Sequence, residues 1–199
     1  MERKKSEKGL DILIDIANQI EDKELRKKVV EFLKNPKLSN EKLKYEGLDI
    51  EESPAGYPGF EHHLVKGGLI LHTISVTTLA INIAKTLMSY YPISINMDYL
   101  IAGALLHDIG RIFDFKKTKK GYAINQKLIE HSSLIAAELY SRGFPEEVIH
   151  IVLSHLGINS IQPPLTIEAL IVHYADEIDA QIDFAIRKSL EEKQGQNDK

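Results

Sequence analysis

Apolar residues return every three or four positions along residues 9–34. Leu10, Leu13, Ile14, Ala17 and Ile20 form one stripe, and Leu25, Val29, Phe32 and Leu33 form another. That spacing predicts two amphipathic helices, over 9–20 and 22–34, the second stopped by Pro36. Residues 46–60 hold two prolines and three glycines and read as an ordered loop or linker. From Gly68 to about Tyr91 the chain is apolar on every face, which predicts a buried central helix. Asn96 suits the N-cap of the next helix, with Asp98 in its first turn; that helix ends near Asp108, with Gly110 fitting the C-terminal position. Residues 116–127 set four lysines just before Gly121 and predict a loop or small hairpin. Further helices are expected over 128–142, 145–155 and 166–190, with Gly143 closing one and Pro145 opening the next, followed by a frayed tail over 191–199. No repeat and no strand pattern longer than a hairpin arm is present, so the expected class is all-α.

Composition narrows the chemistry. A chain of 199 residues, 43% hydrophobic and 27% charged, is long enough for one domain with a real core. Residues 61–190 form its main body, and the 1–60 segment packs on it or pairs two chains. A net charge of -4 argues against extended nucleic-acid binding, short RNA apart. The absence of cysteine removes disulfides, thiolate zinc sites and cysteine nucleophiles, so any metal must be held by histidines and carboxylates. The charged N-terminus leads into no apolar signal region, and no apolar run approaches ~18 residues, so a cytoplasmic protein without a membrane span is expected.

One stretch then poses a question. Residues 105–112 read "LLHDIGRI", where a core helix finishes on His107 and Asp108. Burying an unpaired imidazole or carboxylate costs several kcal/mol, so a hydrogen bond, a salt bridge or a metal ion must compensate both groups. Of eight histidines, His72 lies in the apolar "GGLILHTISV", His131 near a helix start and His155 at a helix end. His155 shares a face with Val148, Ile151 and Val152, whereas His150 falls well round the helix and reads as a surface residue. His173, Asp176 and Asp179 make an inward or half-inward stripe, with Asp183 the most solvated. Several helices each bringing a His or Asp to an apolar face is the pattern of a metal site in a helical bundle.

The order His72, His107–Asp108, His131, His155, Asp176 resembles the HD-domain superfamily of metal-dependent phosphohydrolases, over about residues 60–185. The resemblance implies a helical bundle in which His72, His107, Asp108 and Asp176 hold a first divalent metal. His131 and His155 match the extra histidines of two-metal members, with Asp108 bridging and central to catalysis. One or two ions per chain are implied, with Fe2+ the best guess and Mn2+, Zn2+ or Co2+ as alternatives. "EHHLVKGGLILH" resembles a subgroup with a His-His pair before Gly-Gly-Leu, so His62 and His63 ligate metal, bind phosphate or only tie the loop. Arg111 stands where many members have Lys and is a candidate grip for a substrate phosphate. Lys116, Lys117, Lys119 and Lys120 follow closely, as an anion-attracting loop or a solvated charge run.

The His-His form is similar to two families. One comprises HD-domain 3′–5′ exoribonucleases, the other small archaeal phosphodiesterases that open 7,8-dihydroneopterin 2′,3′-cyclic phosphate in methanopterin synthesis, with iron as their metal. The helical reading of the first 60 residues, the negative charge and the sequence His155-Leu156-Gly157 favour the second. The expected activity is hydrolysis of a small cyclic phosphate ester. Alternatives are action on short RNA, action on nucleotides, or a non-catalytic signalling or scaffold role. The expected partner is a small phosphorylated substrate, and a homo-oligomer is compatible with the apolar helices.

Overall fold

A computed structural model describes residues 9–56, 62–119 and 121–197, with side chains as far as 190. The chain is all-α apart from one hairpin. The helices are α1 (Gly9–Ala17), α2 (Lys23–Lys34), α3 (Gly68–Tyr90), α4 (Met97–Leu106), α5 (His131–Ser141), α6 (Glu146–Ser154) and α7 (Ile167–Asn197). A tight helical turn, Ile109–Phe113, leads from α4 into the antiparallel strands β1 (Phe115–Thr118) and β2 (Gly121–Ile124). Phe115 pairs with Ile124 and Lys117 with Tyr122.

Local chemistry sets the boundaries. Asn96 Oδ1 accepts the Tyr99 amide at 3.1 Å, as its N-cap reading predicts. Asp22 caps α2 by accepting the amides of Glu24 and Leu25. Asp98, in the first turn of α4, accepts the Glu21 and Asp22 amides at 2.8 Å each. That tether draws the α1–α2 turn out of helical geometry, so α1 stops at Ala17 rather than at 20. The helix expected from 128 begins at His131, because the Glu130 carboxylate accepts from the Ser132 and Ser133 amides and fixes the start there. At the other end α7 continues to Asn197 where a frayed tail was expected, and residues 198 and 199 lie outside the described ones.

α3 and α4 form the middle of the bundle. All residues from Leu100 to Leu106 are buried, and α4 packs on α1, α2, α3, α6 and α7. α3 has the length and composition of a membrane span, but it packs against α4 and α7 as a core helix does. One buried cluster joins α1 and α2 to α4 and α5 through Leu13, Phe32, Leu105, Leu106 and Ile135. A second joins α3 to α4, α6 and α7 through Val76, Leu100, Ile151 and Val172. The N-terminal helices therefore belong to the same core as the rest, and each fully buried side chain of this kind stabilises by about 1.5–3 kcal/mol. Gly103 allows α4 its close approach to α6, since a Cβ there would sit 2.5 Å from Ile151 Cγ2.

Gly110 corrects an expectation. It does not turn the chain away from the helix end, because it lies inside the tight turn Ile109–Phe113. A Cβ on Gly110 would meet Ile135 Cγ1 at 2.7 Å and the His131 carbonyl at 2.8 Å. The glycine is there so that this turn can press against α5.

Candidate metal centre

Six side chains from five helices converge beneath the helix ends. His72 projects from the second turn of α3, and His107 and Asp108 follow the last turn of α4. His131 is the first residue of α5, His155 follows α6, and Asp176 lies on α7. Four imidazoles are oriented in one way. His107 Nδ1 donates to the Ala104 carbonyl at 2.7 Å, and His155 Nδ1 to the Val152 carbonyl at 2.8 Å. His72 Nδ1 donates to Asp179 Oδ2 at 2.7 Å, and His131 Nδ1 faces Glu130 Oε1 at 2.8 Å. With Nδ1 engaged by an oxygen, each ring turns Nε2 inward, which is how protein imidazoles are prepared to hold a metal.

The inward atoms fall into two groups about Asp108. His72 Nε2 lies 3.3 Å from His107 Nε2, 3.1 Å from Asp176 Oδ1 and 3.6 Å from Asp108 Oδ2. On the other side, Asp108 Oδ1 lies 3.0 Å from His131 Nε2 and 3.3 Å from His155 Nε2. Ligands bound at about 2.1 Å around one ion stand about 3.0–3.4 Å from one another; the group about Asp108 Oδ1 has that spacing, and the other is wider, with His107 Nε2 3.8 Å from Asp176 Oδ1 and 4.0 Å from Asp108 Oδ2. One carboxylate thus turns one oxygen to each side.

The donor set also calls for a cation. The carbonyls that anchor His107 and His155 require Nδ1–H, so their Nε2 lone pairs point at carboxylates. Nε2 of His131 and of His155 is buried with no hydrogen-bond partner among the described residues. Burial pushes His107 down to about 4, against the pull of Asp108 and Asp176. Burial also opposes charge on His72, but Asp176 and Asp179 override it and raise that group to about 10. His131 is likewise raised to about 10: burial and Arg111 oppose charge, and Asp108, Asp114 and Glu130 outweigh them. Asp108 sits well below the usual carboxylate range despite full burial, held there by Arg111, His131 and His155. Protons on His72 and His131 balance the carboxylates here, and a divalent cation would replace them. The residues fit a borderline divalent metal held by imidazole and carboxylate.

The structure also locates the less certain candidates. His62 and His63 are buried beside His72, with ring centroids 5.0 and 5.3 Å from it. The backbone there is built to hold them. His63 adopts a left-handed φ of 46°, its amide donates to Asp183 Oδ2 at 2.7 Å, and its carbonyl accepts from Ala55 and Val65. A Cβ on Gly68 would come within 1.8 Å of the His63 carbonyl, so that position demands glycine. Non-glycine strain of this kind costs of order 1–3 kcal/mol and clusters at functional sites. Arg111 is buried; its Nε donates to Asp108 Oδ1 at 3.2 Å and its Nη1 to Asp114 Oδ2 at 3.4 Å. It therefore lies at the centre rather than at a solvated helix end.

Sequence reasoning assigned no partner to four carboxylates. Asp179 and Glu130 orient His72 and His131, Asp114 faces His131, Arg111 and Lys127, and Asp183, expected to be solvated, holds His63 and Arg187. The signal for Glu130 was its position immediately before His131, at a helix start. His173, on the same stripe as Asp176, is no part of the cluster: its Nδ1 donates to the His155 carbonyl at 2.7 Å. His150 accepts from the Leu165 amide, away from the centre. Of the basic hairpin, Lys117 pairs with Glu52, Lys116 and Lys119 are exposed, and Lys120 lies outside the described residues. A cleft of about 640 Å³ opens from Arg111, Asp114 and His131 toward Phe115, Ile124 and Asn125.

The chain belongs to the HD domain family, whose model matches residues 69–181. Its relatives sharpen the comparison. The dihydroneopterin 2′,3′-cyclic phosphate phosphodiesterase of Methanocaldococcus jannaschii is 49% identical over 178 residues, which is 88% of this chain and 71% of that protein. The 3′-5′ exoribonuclease YhaM of Bacillus licheniformis is 31% identical over 170 residues, covering 78% of this chain and 52% of the exoribonuclease. The YhaM of Bacillus subtilis is 33% identical over 138 residues, 63% of this chain and 42% of that protein. The chain thus spans about half of the exoribonucleases' length or less. No solved structure matches it.

Proposed function

We propose that this chain is a metal-dependent phosphodiesterase that hydrolyses a small cyclic phosphate ester, with 7,8-dihydroneopterin 2′,3′-cyclic phosphate in methanopterin biosynthesis as its substrate. The observation that carries the reading is Asp108, whose two oxygens face two separate pairs of histidines. The relative from M. jannaschii supports the choice of substrate. His72, His107, Asp108 and Asp176 would hold one ion and Asp108, His131 and His155 a second, with iron(II) the metal of choice and manganese, zinc or cobalt as competitors. Bound there, the ions supply Lewis acidity and a water acidic enough to ionise near neutral pH.

The chain's own groups do the rest. Arg111, seated between Asp108 and Asp114, presents the guanidinium fork that suits two phosphate oxygens. His62 and His63 close the opposite wall and keep the phosphate seated. Asp179 and Glu130 keep Nε2 of His72 and His131 aimed at the ions. The cleft beside Arg111 takes the organic part of the substrate, and its opening lets a small ester enter without unfolding the bundle. Opening the ring breaks one P–O bond, adds one water and leaves a monoester, so a single proton must reach the departing oxygen. A cytoplasmic setting suits a cysteine-free chain with a ferrous site.

One side-by-side assay tests the reading, offering the pterin cyclic phosphate, a 2′,3′-cyclic nucleotide, a short RNA and a nucleoside monophosphate to metal-loaded protein. The pterin ester should be hydrolysed with the highest kcat/KM. Preference for the RNA would assign the chain to the exoribonuclease branch instead.

A further inference from the structure

The cleft beside the metal centre is lined by two kinds of residue. At its inner end the charges are matched within the protein: Arg111 meets Asp108 and Asp114, Lys127 meets Asp114, and Glu130 meets His131. The Lys127 ammonium is buried, so the cleft is offered only the apolar stem of that side chain. The rest of the lining carries no charge. Ile124 ends β2, Leu128 and Ile129 lie between β2 and α5, and Leu156 follows α6, so apolar walls come from two separate parts of the chain. Leu128 is 100% exposed and Ile124 55%, although both are large and apolar. A leucine left wholly in water on the wall of a cleft gains from being covered by a ligand.

Asn125 supplies a polar group of fixed sense on the same segment. Its Nδ2 donates to the Phe113 and Phe115 carbonyls at 3.2 Å each, and its backbone N–H to the Asp114 carbonyl at 2.8 Å. Both side-chain N–H groups are thus engaged, and Oδ1 is the atom left to a ligand, as an acceptor.

We propose that this part of the cleft is a subsite for an uncharged, flat heterocycle with an N–H edge. Leu128 and Ile124 determine specificity for the ring, and Asn125 Oδ1 accepts its N–H. The inference rests on the phosphodiesterase reading, since the phosphate held at the metal centre is what carries the ring to this wall. Charge and polarity select the occupant. A nucleotide chain would bring a second phosphate after the one that Arg111 takes. Among the described residues the lining has no further cation to meet it: Lys127 is sealed against Asp114, and the exposed Lys116 and Lys119 do not line the cleft. A hydrocarbon ring would cover Asn125 Oδ1 without giving it a donor, which is unfavourable. The pterin of the proposed substrate has both flat apolar faces and N–H groups.

Three cyclic esters separate these parts when offered to metal-loaded protein: the pterin ester, one in which naphthalene replaces the pterin, and glycerol 1,2-cyclic phosphate, which has no ring. Ratios of kcat/KM cancel any general loss of activity. The wild type should favour the ring esters over the glycerol ester, and the pterin over the naphthalene. Leu128→Ser should lower both ring esters relative to the glycerol ester by about tenfold, through KM, and its full exposure means that the packing stays intact. Asn125→Ala should lower the pterin ester relative to the naphthalene ester by about fivefold, whatever it does to the hairpin. Neopterin, which lacks the phosphate, should bind about tenfold more weakly to Leu128→Ser than to wild type by calorimetry, whether or not any ester is hydrolysed. Hydrolysis of none of the three esters would sink the phosphodiesterase reading and leave neopterin binding to decide the subsite. Indifference of the wild type to the ring, ratios unmoved by either substitution, or neopterin binding untouched by Leu128→Ser would overturn the proposal.

Discussion

The two sides of Asp108 are built differently. His72, His107 and Asp176 come from α3, α4 and α7, three helices that pack along their lengths in the middle of the bundle. Both histidines are fully buried. His131 and His155 come from helix ends, and His131 lines the open cleft together with Arg111 and Asp114. The first side is held by the core itself. The second depends on a Glu130 cap beside the cleft, a hairpin, and the tight turn Ile109–Phe113, whose residues are themselves buried. A centre with one enclosed half and one half open to the cleft could keep an ion in place while the other half meets substrate.

The largest effect should come from the residue that joins the halves. Asp108→Ala should abolish hydrolysis, by about 10⁴-fold or more, and remove both ions while helical circular dichroism persists. Retained activity would show that this carboxylate is not the centre. A smaller contrast separates the sides. His131→Ala should leave one ion bound and the thermal midpoint nearly unchanged, whereas His107→Ala should lose its ion and also melt earlier, because it opens a gap in the core. Metal content and melting of the two variants, measured together, decide this; equal losses in both would erase the distinction.

Gly110→Ala tests how the cleft side is positioned. The added methyl meets Ile135 and the His131 carbonyl, so a destabilisation of about 1–3 kcal/mol is expected, with a fall in activity disproportionate to it. Asp179→Asn should weaken metal binding by about 10–100-fold, less than loss of a ligand, since it acts only through His72.

The smallest effect concerns pH. His72 and His131 are raised to about 10 in the metal-free protein, above the ordinary histidine value of 6.5. A raised folded-state value means that their protonation stabilises the metal-free fold fully below pH 6.5, and that this contribution is lost as pH rises through about 10. Metal must displace the same protons. Binding should therefore release protons at neutral pH and tighten as pH rises, which calorimetry in buffers of different ionisation enthalpy measures. Metal-loaded protein should lack the alkaline loss of stability.

Much of this was legible in the residues. The apolar spacing locates the helices to within a few positions, because burial of one face is a local property of the sequence. The six residues His72, His107, Asp108, His131, His155 and Asp176 are legible through the order that resembles the HD-domain superfamily, and the apolar neighbours of His72, His107, Asp108 and His155 add a demand for compensation. The partners of Asp179 and Asp183 were hidden, since the period of a helix shows which face a carboxylate shares but not what meets it there. Gly110 looked like a helix terminator because sequence displays its flexibility but not its neighbour. The left-handed His63 carries no local mark, for Gly68, which makes room for its carbonyl, lies five residues further on.

The sequence by itself determined the all-α class and the cysteine-free donor set, since the one depends on the period of the helices and the other on composition. Only the tertiary structure decided that Asp108 divides its oxygens between two histidine pairs and that Arg111 is buried between Asp108 and Asp114. Those facts are distances between residues far apart in the chain, and helical periodicity carries no information about which faces will meet.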